Sequence, residues 1–209
     1  GRPIPSTSRS VPRDEARAAL GLPADGRVVL VFGGSQGAAS LNEAALRAWA
    51  EAGPHVLHLC GQAAYDELRG RVHREDYVLL PFVDDFGGAL GASDLVVARA
   101  GGSVWEVAAA GKPAVLVPYP HATADHQRAN AQYFVDAGGA VIVDDSAARE
   151  RVPALVAELL ADDARLRAMS EAMRSISVLA FASASSRIAV AWITAPVPRI
   201  AMNITTSAG

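Results

Sequence analysis

The feature that most constrains this chain is a repeated alternation of short apolar runs with longer stretches of helical periodicity. Arg27 to Phe32 is almost wholly apolar and rich in β-branched residues, Gly33 to Gly37 is a turn, and Ala38 to Ala52 has helical spacing. The same unit recurs as His55 to Cys60 then Gln62 to Val72, Tyr77 to Leu80 then Asp85 to Gly91, and Asp94 to Ala98 then Ser103 to Ala110. Two more follow: Ala114 to Val117 before the helix Asp125 to Ala137, and Ala140 to Val143 before helices at about Arg151 to Leu160 and Asp163 to Arg174. Strands without a polar face belong in a parallel sheet covered on both sides, so the predicted fold is α/β, a Rossmann-like doubly wound parallel sheet. A short helix, Arg13 to Leu20, precedes it, opened by Pro12 and closed by Gly21 and Pro23. Residues 1–12 read as a linker remnant rather than a start, and 13–174 as the domain. The tail 175–209 has only Arg187 and Arg199 as charges and finds no place in the sheet. A last helix packed on another domain and a weakly ordered terminus both fit it.

With 51% hydrophobic and 20% charged residues in 209, the chain has enough apolar mass for one sizeable core. Its net charge of −3 leaves no basic surface for a phosphate backbone, so no nucleic acid is expected as a partner. A bound phosphate would be held by backbone amides. Cys60 is the single cysteine, which rules out an intrachain disulfide and a paired-cysteine zinc site and makes a reducing compartment the default. No apolar run approaches the roughly 20 residues of a spanning helix, so any membrane contact would be peripheral.

Gly33-Gly34-Ser35-Gln36-Gly37-Ala38 lies between a buried strand and a helix, where free N–H groups and the positive helix end attract an anion. A purely structural tight turn is the plainer reading. A dinucleotide fingerprint needs a glycine where Phe32 stands, and a Walker loop needs Gly-Lys-Ser/Thr at its end, whereas Gly111-Lys112-Pro113 lies in another turn. Gly33-x-Ser35-x-Gly37 formally matches a nucleophile elbow, with Asp94 or Asp125 and then His126 in the right order for a serine hydrolase. Against that stand the position after the first strand and the lack of a His-Gly-Gly oxyanion segment.

Two further polar clusters follow strands. Arg99-Ala100-Gly101-Gly102-Ser103-Val104-Trp105-Glu106 opens a helix, and in a parallel sheet its loop shares one edge with the first. Glu106 in the first turn suits either the helix dipole or two ribose hydroxyls. Gln127 and Asn130, three apart on one helical face, could grip vicinal sugar hydroxyls. His121, Asp125 and His126 lack a recognised metal spacing, and capping by Asp125 with surface histidines reads more simply. Asp84 and Asp85 read as helix caps.

Gly-Gly-Ser-Gln-Gly-Ala with Asn42 beyond it, Arg-Ala-Gly-Gly-Ser-Val-Trp-Glu, and Pro-x-Pro-His-Ala-x-x-Asp-His-Gln-x-x-Asn-Ala together resemble the MurG glycosyltransferases, over roughly residues 1 to 174. The resemblance implies the C-terminal domain of a GT-B glycosyltransferase, a nucleotide-sugar-binding unit for UDP-N-acetylglucosamine. An N-terminal domain absent from this sequence would hold lipid I, giving lipid II for peptidoglycan at the cytoplasmic side of the bacterial membrane. It implies donor contacts from Gly34, Ser35, Gln36 and Gly37, with Asn42 close by, and from the backbone of Val83 to uracil. Gly101, Gly102 and Ser103 would meet phosphate, Glu106 the ribose, and Gln127 and Asn130 the sugar. Transfer would invert the anomeric centre, with no metal, no cofactor and no catalytic residue in this half, the base lying in the other domain. A split enzyme with another acceptor is the alternative within glycosyl transfer. The family's opening Gly-Asn-Pro-Val-Arg is replaced here, Pro5 standing where the phosphate-contacting arginine would be, with Arg2 or Arg9 as substitutes. The tail after Arg174 also departs from the family's usual ending.

Overall fold

The computed structural model describes residues 12–34, 38–120 and 126–176. The expectations for Pro5, Arg2, Arg9, Ser35, Gln36, Gly37, His121, Asp125 and the tail beyond 176 lie outside these residues. The elements are α1 (Arg13–Ala19), β1 (Val28–Phe32), α2 (Ala39–Trp49), β2 (His55–Leu59), α3 (Gln62–Leu68), β3 (Tyr77–Leu80) and α4 (Phe86–Ala92). They continue with β4 (Leu95–Ala98), α5 (Val104–Ala109), β5 (Ala114–Leu116), α6 (His126–Asp136), β6 (Ala140–Ile142), α7 (Ala148–Leu160) and α8 (163–176). All strands are parallel in the order β3-β2-β1-β4-β5-β6. The order reverses between β1 and β4, the switch point of a doubly wound sheet.

The alternating side chains of the central strands feed two separate cores. Val29, Val31, Leu95, Val97 and Val115 face a layer built with α2 and α7, while Val28, Leu30, Phe32, Val96 and Leu116 face one built with α1, α4, α5 and α6. That is why β1 is apolar throughout. Helix α8 serves both layers, Leu166 and Met169 entering the first and Met173 and Ile176 the second. It closes on the chain so tightly that a Cβ on Gly139 would lie 2.6 Å from the Met173 sulfur. Among the described residues no helix is long and apolar enough to cross a membrane.

Several element boundaries differ from expectation, two of them for a reason the structure shows. The helix expected to run to Val72 stops at Leu68 and tightens into a 3₁₀ turn, Arg69–Arg71, because Gly70 is a poor helix former. The helix expected from about Arg151 begins at Ala148, fed directly by a 3₁₀ turn at Asp145–Ala147, so that Pro153 lies inside it rather than in its first turn.

A polar thread runs through the α2 layer. The Asn42 amide donates to the Cys60 carbonyl at 3.0 Å and accepts from His58 Nε2 at 3.0 Å, while His58 Nδ1 meets the Tyr77 hydroxyl at 2.8 Å. Burial pushes the His58 imidazole down to about 3. The unfolded chain takes up a proton below about pH 6.5 that the folded state refuses, so stability falls as pH drops from 6.5 towards 3. Between pH 7 and pH 5 this residue is expected to remove about 2 kcal/mol. Urea unfolding of the wild type and of His58→Gln at both pH values checks it: the variant should lose most of the pH dependence, and an equal slope in both would contradict the assignment.

Candidate functional site

At their carboxyl ends β1, β4 and β5 lie side by side around the switch point, Phe32 pairing with Ala98 and Ala98 with Leu116. Beyond β1, Gly34 adopts φ +91° with nothing within 4 Å of a would-be Cβ, so the backbone conformation rather than packing requires glycine. Gly101 and Gly102 differ: neither has a positive φ and neither has a neighbour within 4 Å of its Cβ position. The fold itself would accept side chains there. Val104 N–H bonds the Gly101 carbonyl and Glu106 N–H the Ser103 carbonyl, so this segment winds straight into α5 with Glu106 half-buried in its first turn.

Side chains from α6 clamp these loops. Asn130 Nδ2 donates to the carbonyls of Ala100 at 2.8 Å and Gly101 at 3.1 Å, and Gln127 Oε1 accepts from the Tyr119 N–H at 2.9 Å. The pair that sequence spacing placed on one face is thus brought to the β4 and β5 loops. Val83 tucks its side chain against the core below, and Asp85 caps α4 by accepting from Gly88 N–H at 2.8 Å. Phe86 meets Phe32 edge-on at 5.1 Å and fixes that helix start under the end of β1. Asn42 does not join the group: it is 4% exposed, with its amide committed to Cys60 and His58.

One part of the rim is not evident from the sequence. Arg99, 8% exposed, donates through Nη1 to the carbonyls of Val117 at 3.2 Å and Pro118 at 3.4 Å and to Asp145, and through Nη2 to Ser40 Oγ at 2.9 Å. Ser40 in turn donates to Asp145 at 2.5 Å, and the guanidinium carbon lies 5.3 Å from the Tyr119 ring centre. The available signal was that an arginine directly after a buried strand needs a carboxylate.

The hydrolase reading with Asp94 as its acid member fails on geometry. Asp94 precedes β4 at the opposite edge of the sheet, where it accepts from Arg17 Nη2 and from the Val28 N–H, each at 2.8 Å. It has no route to the loop after β1. Lys112 is likewise at the amino edge, its ammonium donating to the Gly91 and Ser93 carbonyls, as a residue outside any Walker loop would.

An open, wholly parallel sheet whose strand order reverses between β1 and β4, with glycines following both strands, defines the class of doubly wound α/β domains. The model of the glycosyltransferase family 28 C-terminal domain matches residues 28–188, and the chain belongs to that family. It is 45% identical over 194 residues to the UDP-N-acetylglucosamine–N-acetylmuramyl-(pentapeptide) pyrophosphoryl-undecaprenol N-acetylglucosamine transferase of Mycobacterium tuberculosis H37Rv, covering 90% of this chain and 47% of that protein. The enzyme of the same name from Chlorobium limicola is 42% identical over 75% of this chain and 44% of its own length. Among solved structures, MurG of Acinetobacter baumannii superposes with a TM-score of 0.65 at 30% identity, covering 84% of this chain and 54% of that one. The chain spans about half the length of the curated relatives it matches.

Proposed function

We propose that this chain is the donor-binding half of an inverting glycosyltransferase that moves N-acetylglucosamine from UDP-N-acetylglucosamine to lipid I, yielding lipid II for peptidoglycan. In this reading the diphosphate lies over the backbone of Gly34 to Gly37 and of Gly101 to Ser103. Uracil meets the Val83 backbone, ribose meets Glu106, and the sugar meets Gln127 and Asn130. The amides and the start of α2 take up charge as UDP departs, which is the part of catalysis that preorganised dipoles supply. The base that deprotonates the acceptor and the surface that meets the cytoplasmic leaflet belong to the other half of such an enzyme.

The observation that carries this reading is the pair Gly101 and Gly102, glycines in ordinary backbone conformation beside open space. A methyl group there costs the fold nothing, but it occupies the space through which a phosphate would approach the amides. Gly101→Ala and Gly102→Ala are therefore expected to leave stability unchanged or raise it by about 0.4–1 kcal/mol. Both should weaken UDP-N-acetylglucosamine at least about tenfold, the worth of one charge-assisted hydrogen bond. Calorimetry beside urea unfolding checks this, and undiminished binding in both variants would remove the phosphate from this loop.

A further inference from the structure

We infer that Arg99 is a positioning residue that holds the loops of the donor crevice in one register, with Asp145 and Ser40 as its partners. The inference rests on the donor-binding reading above. Arg99 immediately follows β4, yet its two terminal nitrogens reach the backbone after β5, the carboxylate after β6 and the first turn of α2. These contacts join residues 18, 46 and 59 positions apart in sequence. The side chain therefore ties the helix that follows the first glycine loop to the second glycine loop.

Arg99 is not itself placed to hold a phosphate. Its charge is met by Asp145, whose side chain is 23% exposed, and its planar fork is spent on protein acceptors. What it controls is the segment that begins one residue later. Ala100 and Gly101 are held from α6 by Asn130, and Arg99 holds the same segment from the other side. Glycines anchored at both ends present their amides already ordered, so a ligand does not have to bear that ordering entropy. Without Arg99 the Asp145 carboxylate would stand uncompensated beside a site meant for a diphosphate.

The test uses the whole chain with Arg99→Met, Arg99→Lys, Asp145→Asn and Ser40→Ala, read by titration with UDP-N-acetylglucosamine and by hydrogen–deuterium exchange without ligand. Arg99→Met is expected to weaken binding at least about thirtyfold and to speed exchange at 100–103 about tenfold while β1 and β2 exchange as before. Arg99→Lys keeps the charge but not the fork, and should remain within about threefold of Arg99→Met. Adding Asp145→Asn to Arg99→Met should cost little more than Arg99→Met alone, because the two act as one unit. Ser40→Ala, which removes a single hydroxyl, reads the same coupling where Arg99→Met does not fold: about threefold weaker binding with faster exchange at 100–103.

Wild-type affinity in Arg99→Lys would make the residue a plain charge and overturn the inference. Unchanged exchange at 100–103 in every folded variant would overturn it too. If the wild-type chain binds no nucleotide sugar, the donor reading fails, and the exchange comparison alone decides whether Arg99 orders the loops.

Discussion

An Asp94→Ala variant is expected to lose about 3–5 kcal/mol of folding stability, the usual cost of stranding one member of a buried ion pair. Arg17 is fully buried, and its guanidinium is surrounded by the carbonyls of Ala92, Pro23, Ala24, Asp25 and Gly26 with Asp94 as its carboxylate partner. Asp94 also receives the Val28 N–H at 2.8 Å, which fixes the start of β1. Removing the carboxylate leaves a desolvated cation and an unpaired amide at the joint between α1 and the sheet. For a domain whose whole stability is of the order of 5–15 kcal/mol, that is a large share. Urea unfolding measures it, and a loss below about 1 kcal/mol would show that the pair is screened and dispensable. The folded fraction should bind nucleotide sugar normally, because Asp94 sits at the edge of the sheet away from the glycine loops.

Glu106→Ala should show the converse pattern. If the carboxylate accepts from two ribose hydroxyls, its removal costs about 1.5–3 kcal/mol of binding, roughly ten- to a hundredfold in affinity. A carboxylate that only complements the dipole of α5 contributes about 0.3–1 kcal/mol, and to stability rather than to binding. Titration with UDP-N-acetylglucosamine alongside urea unfolding separates the two roles. A variant that binds normally but unfolds earlier would return Glu106 to the helix dipole.

The central strands β1 and β4 are legible because they are buried along their whole length and carry no polar residue to blur them, β1 being expected from Arg27 and found from Val28; the edge strand β3, expected and found at Tyr77–Leu80, stands out instead by the polar residues before it. The shared edge of the polar segments was legible too, since a parallel sheet puts the residues that follow β1, β4 and β5 at one end of the strands. What could not be read was tertiary pairing. Arg17 and Asp94 are 77 positions apart, Arg99 and Asp145 are 46 apart, and no local pattern joins them. Asn42 shows the same limit from the other direction. On α2 it lies among the buried Leu41, Ala44 and Ala45, and whether an asparagine there faces a ligand or a buried histidine depends on β2, not on its neighbours in sequence.

Calorimetric titration of the purified chain with UDP-N-acetylglucosamine, run beside UDP-glucose and NAD, tests the central claim most directly. The account predicts saturable binding of one UDP-N-acetylglucosamine per chain, at least about tenfold tighter than UDP-glucose, the discrimination one hydrogen-bonded acetamido group provides, and no binding of NAD. A folded chain that binds none of the three, or that binds UDP-glucose equally well, would contradict it.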